Sequence, residues 1–509
     1  MSATPSMATI ASEHYAKLVD FQETIDKMRT FDLIDRARPR RIYLVAMLIT
    51  CFGLVLFRHP TLELAIALLS AAVIIVGFLP ALVLTAQPNT MRPPIPLFAL
   101  SGIFYAVFYG IAVFFLFPLH EAETGQFILY QGVRIDGIST DAMIVVLLGL
   151  SGMYGGYAVI RRLTSRRSIP RLRISSTTLQ NGPIILTSIL MIAHLAYLFV
   201  PDVRAHPSVG QFLGPIGILG LAYFYVVWRR RNSASNKAGI GLLIVGAAII
   251  GKYVGSAYLT PVIMLFVALM VLEYWLVDKI PWKPAALLVV SVIVIYPMMT
   301  SVRDQLWRPD QAYGQFGSIV VSVKTIFQTA IKTVEGKGRR YFGLATRVAH
   351  AGILTHVIEQ TPKHVPFWDG ETYRPLLTSM IPRALWRGKP EERTGSAFGR
   401  RYGFVDDKDN SSINLPWITE LFANFGWVGT LLGMTIIGGL IGVLERTLSD
   451  PSMSDLEVVV GMSILLPLFY QESNFSLMTG SIIFYIVCIW IYFSFGSKIL
   501  AAIFANKQD

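Results

Sequence analysis

Residues 416–444 read PWITELFANFGWVGTLLGMTIIGGLIGVL. From Gly426 to Leu444 the residues are apolar, small or Thr, without a charge, and the run is long enough for a helix to cross a bilayer. Pro416 stands where a helix can begin, because the missing N–H of proline is tolerated in a first turn. A helix starting there and running into the apolar segment puts Glu420 and Asn424, four apart, on one face near the membrane edge. An ionisable group in that place reads either as functional or as an interfacial anchor paired with a neighbouring arginine.

Upstream lies a polar interval of about 115 residues, from Ser301 to about Leu415. Loops of such length in compact proteins are functional or disordered. This one holds too many Trp, Tyr, Phe, Leu and Ile residues for a disordered linker.

The rest of the chain has the composition of membrane. Of 509 residues, 53% are hydrophobic and 15% charged, against about 25% charged in soluble domains. Twelve apolar runs read as spanning helices: about 42–57, 62–84, 96–118, 142–160, 183–200, 209–228, 238–254, 261–277, 284–300, 426–444, 457–471 and 480–496. Cys51 and Cys488 sit in apolar runs near the two ends, which argues against a disulfide framework or a cysteine metal site. The net charge of +12 does not point to nucleic acid, because the basic residues cluster beside the spans as orientation signals do. With the N-terminus inside, 23 of the 44 Lys and Arg fall in inner segments, 4 in short outer ones and 17 in the long interval. Both termini are therefore expected inside and the interval outside. The expected division is a cytoplasmic tail 1–41, spans one to nine over 42–300, the outer loop 301–415, spans ten to twelve over 416–496, and a second tail 497–509. No cleavable signal peptide is read in the first 40 residues. Leu18, Phe21, Ile25 and Met28 at helical spacing suit a helix lying on the membrane or docking a partner.

Within the interval, the pattern predicts a helix over Ile319–Val334 and a longer amphipathic one over Arg339–Gln360. Arg339, Arg340, Arg347 and His350 share a stripe of the second helix. That stripe is either an anion clamp, since guanidinium matches phosphate oxygens, or a basic face against anionic lipid headgroups. Gly370-Glu371-Thr372-Tyr373 is a turn with a carboxylate beside an aromatic ring, a pairing found in carbohydrate sites and also in ordinary exposed turns. Arg383, Arg387 and Lys389, then Arg400 and Arg401, put positive charge just beyond an apolar anchor (Leu376, Leu377, Met380, Ile381), which suits a lipid-linked anion. Glu472 carries the same two readings as Glu420. Asp406-Asp407-Lys408-Asp409 reads as a solvated turn, and no metal-ligand spacing is found in the interval, so neither a metal nor a cofactor is expected.

The runs GETY (370–373), IPRALWRGKP (381–390), Gly395, Phe398, Tyr402, Ser411-Ser412 and ELFANFGWVG (420–429) resemble the Wzy-type O-antigen and repeat-unit polysaccharide polymerases of bacterial inner membranes. The resemblance covers about 60 residues at motif level and most of the chain in topology. It implies an all-α, GT-C-like glycosyltransferase of about twelve transmembrane helices that joins glycans carried on undecaprenyl diphosphate at the outer face of the membrane. A chain-length regulator and a glycan flippase are the partners it suggests. Such a reaction needs a base for the acceptor hydroxyl and positive charge for the departing diphosphate. Glu420, Glu371 or His350 is the expected base. Arg339, Arg340, Arg347, Tyr373, Arg383, Lys389, Arg401 and Asn424 are the expected binding residues. An O-antigen ligase and, among non-enzymes, a lipid-linked glycan flippase or transporter are the competing readings.

Overall fold

A computed structural model describes residues 64–86, 92–114, 129–130, 133–134, 137–163, 171–174, 182–204, 207–230, 235–306, 313–334, 350–379, 381, 386, 388–390, 392–406 and 411–505. Apart from a two-residue antiparallel ladder, Leu129–Tyr130 with Val133–Arg134, these residues are helix and connection. In chain order the helices are α1 (Leu64–Ala86), α2 (Leu97–Tyr105, carried on to Phe114 through a π-turn at Ala106–Ile111), α3 (Thr140–Leu163), α4 (Gly182–Phe199), α5 (Pro201–Arg204), α6 (Pro207–Leu213), α7 (Ile216–Arg229), α8 (Ser235–Gly255), α9 (Thr260–Val277), α10 (Trp282–Leu306), α11 (Gln315–Val334) and α12 (His350–Gln360). After a 3-10 turn at Glu371–Tyr373 come α13 (Arg374–Ser379), α14 (Thr394–Arg401), α15 (Trp417–Leu448), α16 (Asp455–Phe469), α17 (Phe475–Thr479) and α18 (Ile482–Ala505).

Eight helices among the described residues are long and apolar enough to cross a bilayer. A ninth span results if α10, bent by 45° between Tyr296 and Met298, is counted as one. The bend falls at Pro297, which cannot donate to the helical ladder. Of the other expected spans, 42–57 lies outside the described residues. The run 209–228 is divided between α6 and α7 and the run 457–471 falls on α16; α7 and α16 have 14 and 15 residues. At 1.5 Å per residue these are about 21–22 Å long, short of a hydrocarbon core of about 30 Å. Both are buried along most of their length, so their apolarity serves the protein core. Ser454 and Glu457 close a capping box on α16, which satisfies backbone donors at its first turn.

The centre of the fold is the packing of α3 along α15. It is close because glycines face backbone: a Cβ on Gly156 would stand 1.8 Å from the Thr435 carbonyl oxygen, and one on Gly438 1.9 Å from that of Met153. Without water to drive association, small residues that let backbones approach are how helices adhere in membranes. At the far end of α15, Glu445 accepts from the Phe98 N–H and the Tyr157 hydroxyl, each at 2.7 Å, tying α2 and α3 to the same helix.

The described residues of the polar interval are mostly helix. The first helix expected there is α11. Of the longer one, His350–Gln360 is α12, and residues 335–349 lie outside the described residues. α11 turns Val320, Val323, Phe327 and Ile331 outward and buries Ser322 and Thr325, and the Thr325 hydroxyl donates to Gln305 Oε1 at 2.6 Å. Its apolar face thus looks away from the protein, as on a helix lying against lipid.

Candidate functional site

The first two turns of α15 are turned into the protein. Pro416 is the N-cap, extended at ψ 149°, and Thr419, Glu420 and Asn424 are all fully buried. The helix then breaks at Gly426, with φ 66° and ψ −151°, a region in effect open only to glycine. Beyond the break, Val428, Leu432, Ile436 and Leu440 form an exposed stripe. One helix by hydrogen bonding is therefore two by function: a polar segment inside the protein and an apolar one facing out.

Asn424 joins the buried segment to the 370–373 turn. Gly370, left-handed at φ 85°, donates its N–H to Asn424 Oδ1 at 2.9 Å. Asn424 Nδ2 in turn donates to Thr372 Oγ1 at 2.9 Å and to the Glu420 carbonyl at 2.8 Å. A third element closes the site: the Ser476 hydroxyl donates to the Thr372 carbonyl at 2.9 Å, and the Phe475 N–H donates to Glu420 Oε2 at 2.7 Å. Glu420 Oε1 has no hydrogen-bond partner, although the Thr372 hydroxyl lies alongside. Oε2 is thus fixed by the Phe475 N–H, and the Thr372 hydroxyl stands by the same carboxyl group.

Tyr373 adjoins this carboxylate. Its ring lies parallel to Phe425 with centroids 6.2 Å apart and tilts against Phe475 at 6.3 Å. Burial, and then the charge of Glu420, push its hydroxyl far above the ordinary tyrosine value, so it stays protonated. A second carboxylate, Glu392, interacts electrostatically with Glu420 and accepts from Asn474 Nδ2 at 2.5 Å. Burial raises the Glu392 carboxyl, while Asn474 and Lys389 oppose the rise. The arrangement is a pair of interacting carboxylates with a lysine beside the outer member. Below it an apolar groove of about 640 Å³ runs from Tyr373, Leu376 and Phe475 along α15 to Leu440.

A second polar nucleus lies on the other side of the 470–475 turn. His350 Nε2 is 3.8 Å from Glu472 Oε1, and both side chains are 3% exposed. Asn414 donates to the same Glu472 oxygen. Rings of Phe104, Phe108 and Tyr109 enclose the imidazole at 5.1–6.3 Å. The Tyr105 hydroxyl donates to Gln471 Oε1 at 2.5 Å, and the Trp417 N–H reaches the Gln471 carbonyl at 3.4 Å. The turn is thus held from both sides, and with it the Phe475 N–H that orients Glu420.

Of the residues expected from sequence, Glu420, Asn424 and Tyr373 come together, with Lys389 beside Glu392. His350 sits in the adjoining nucleus. Glu371 starts the 3-10 turn with an exposed side chain. Arg401 is engaged elsewhere: it donates to the Pro366 carbonyl at 2.7 Å and the Phe367 carbonyl at 3.3 Å, and its guanidinium lies 4.3 Å from the Trp368 ring centre. It holds the chain leading into the turn. Lys389 Nζ donates to the Ile381 carbonyl at 3.0 Å. Arg339, Arg340, Arg347 and Arg383 lie outside the described residues. Sequence reasoning quoted Thr372 within its motif without giving it a role, gave none to Asn474, and did not single out Glu392, Phe475 or Ser476. The one signal for Glu392 was its place in the Glu391-Glu392 pair that follows the 381–390 run.

No curated protein and no solved structure matches the chain. A family model described as Domain of unknown function (DUF8712) matches residues 163–501, about two thirds of the sequence and all of the Glu420 cluster, and the chain belongs to that family.

Proposed function

We propose that this protein is a membrane glycosyltransferase that polymerises undecaprenyl-diphosphate-linked oligosaccharide repeat units at the outer face of a bacterial inner membrane. The observation that carries the reading is Glu420, fully buried and interacting with Glu392, in the first turn of a span-length helix and next to Tyr373 and Phe475, which line the end of an apolar groove. In the reaction, an acceptor sugar hydroxyl attacks the anomeric carbon of the lipid-linked glycan. A new C–O bond forms as the bond to the diphosphate breaks, the lipid diphosphate leaves with the electron pair, and the hydroxyl proton passes to Glu420. Lys389 interacts electrostatically with Glu392, and Arg339, Arg340, Arg347 and Arg383 are the further cations proposed to meet the diphosphate. The groove suits the hydrocarbon of the carrier, whose head would then lie at the carboxylates. The proposed topology is the twelve-span, GT-C-like one with both termini cytoplasmic, in which α7 and α16 cross as short helices enclosed by the others.

The test is a deletion strain whose surface glycans and carrier-linked glycans are resolved side by side on a gel. Single repeat units in place of polymer are the expected result. Long chains retained on the carrier would make the protein a ligase instead, and unchanged glycans would overturn the reading.

A further inference from the structure

The part of α15 before Gly426 folds back beside the part after it. Along a straight helix Trp417 would stand about 46 Å from Leu448, and Gly426 about 33 Å. Helix α16 sets a shorter limit for Trp417. A Cβ on Gly461 would overlap the Leu448 carbonyl, so α16 touches α15 there. From Gly461 the chain reaches Gln471 by the helical path to Phe469 and two further residues, about 19 Å at most. The Gln471 carbonyl accepts from the Trp417 N–H. Trp417 is therefore within about 30 Å of Leu448, nearer than Gly426. Helix α2 agrees. It joins Glu445, through the Phe98 N–H, to Thr419, through the Tyr109 hydroxyl, over about 17 Å of helix where a straight α15 would need about 39 Å. Small residues let the two arms close up. A Cβ on Gly433 would overlap the Leu421 side chain and one on Gly429 that of Phe425, while Ile418 and Met434 both meet Gly149 of α3.

This fold-back fixes the depth of the apolar groove. From Gly426 to Glu445 the lower arm rises about 29 Å, which matches a hydrocarbon core of about 30 Å. The groove lies between Leu421 and Phe425 on the upper arm and Val428, Leu432, Ile436 and Leu440 on the lower, and those last four are exposed. From Val428 to Leu440 it extends about 18 Å, a little more than one leaflet of that core. Among its lining side chains the Tyr373 hydroxyl is the only polar group. A crevice of this length and lining, open sideways at hydrocarbon depth, fits the chain of a lipid and offers nothing to a soluble polar ligand.

We propose that the V of α15 seats one hydrocarbon chain of a bilayer lipid, taken sideways from the leaflet on the Gly426 side. This rests on the glycosyl-transfer reading of the site for the identity of the lipid, and adds that the lipid loads along α15 from within the membrane.

The test uses the full-length chain in phosphatidylcholine nanodiscs, part of the lipid carrying a diazirine on one acyl chain, with adducts mapped by mass spectrometry after illumination. Geranylgeranyl diphosphate, a single prenyl chain with an anionic head, is the competitor. Adducts between Val428 and Leu440 are expected to fall as it is added, while those at the exposed Leu287 and Val290 of α10 stay constant. Inorganic pyrophosphate should displace nothing. Leu432→Trp fills the groove from an exposed position and should require about a hundredfold more competitor, as for three to four methylene groups kept out. Ile436→Trp serves if that variant does not accumulate. Groove adducts that the prenyl diphosphate does not lower, displacement by pyrophosphate, or unchanged competition in a folded variant would each overturn the seat. The fold-back has its own check: Leu421→Cys with Gly433→Cys should form a disulfide, whereas a straight helix would hold the two about 18 Å apart, and absence of the bridge overturns it. Polymerisation is read separately on the deletion strain. Competed groove adducts with unchanged surface glycan would keep the lipid seat and discard polymerisation, and lost polymer with uncompeted adducts would do the reverse.

Discussion

Asn424→Ala should detach the 370–373 turn from α15. The side chain is fully buried and makes three hydrogen bonds, to the Gly370 N–H, Thr372 Oγ1 and the Glu420 carbonyl. The last lies within the helix, and its loss leaves that carbonyl its usual backbone partner. The other two join positions 54 and 52 residues apart, where no local preference replaces them. Each contributes about 0.5–1.5 kcal/mol net, with the lower figure for Gly370, which is half-buried. Removing three heavy atoms from a buried position adds about 1 kcal/mol. The sum is about 2–3 kcal/mol, or about 30- to 150-fold in the unfolding equilibrium. Unfolding of the purified chain in detergent measures it, with Thr372→Val as the second arm of a double-mutant cycle. A coupling of about 1 kcal/mol is expected between these contacting residues. Because Thr372 and Tyr373 flank Glu420, polymer in cells should be lost at temperatures where Asn424→Ala still accumulates. A destabilisation below about 0.5 kcal/mol, or full additivity with Thr372→Val, would refute the reasoning.

Other substitutions probe neighbouring features. Gly426→Ala puts a Cβ where φ is 66° and the Phe367 ring is 3.2 Å away. A loss of about 1–3 kcal/mol is expected in the same unfolding assay, and a wild-type midpoint would show that the break is dispensable. Glu392 has a carboxyl raised by burial above its ordinary value of 4.5. Its contribution to stability is therefore fully present below that value and is lost as pH rises through the folded value. Glu392→Gln should flatten the unfolding midpoint against pH across that window, and parallel curves for variant and wild type would remove the assignment. A phosphatase reporter fused after Asp406 should be active only on the outer side of the membrane, and a cytoplasmic signal there would reverse the proposed orientation.

What the sequence made legible was the part carried by local pattern. Eight apolar runs fold as helices long enough to cross a bilayer, Pro416 opens α15, and Glu420 and Asn424 share a face because spacing alone requires it. Gly370 is at a left-handed turn. Hydropathy could not tell that α7 and α16 are shorter than the other expected spans and packed mostly within protein, since a helix buried in protein and one buried in lipid are equally apolar. Glu420 looked like a group at a water-facing edge. Its burial depends on the N–H of Phe475, 55 positions away, and no periodicity encodes such a contact. Glu392 was missed for a related reason: its polar neighbours Asn474 and Glu420 come from other parts of the chain.

The ten residues 420–429 show why the site belongs at this point of the fold. A straight helix from Trp417 to Leu448 would carry the Glu420 face on past every turn, so a carboxylate turned into the protein at one end would commit the same stripe further along. The break at Gly426 removes that constraint. Before it, the residues at four-residue spacing are Glu420 and Asn424, held by the 370–373 turn and by Phe475. After it, Val428, Leu432, Ile436 and Leu440 take the same spacing on an exposed flank. The groove follows that flank and ends at Tyr373 and Phe475, the two residues that meet Glu420. Hydrocarbon surface and a buried carboxylate are thus brought end to end by one backbone torsion, a placement that suits a ligand with an apolar tail and a polar head. Moving the glycine by one position would rotate the lower helix by about 100° relative to the upper, carrying the apolar stripe away from the carboxylate while leaving composition and hydropathy unchanged.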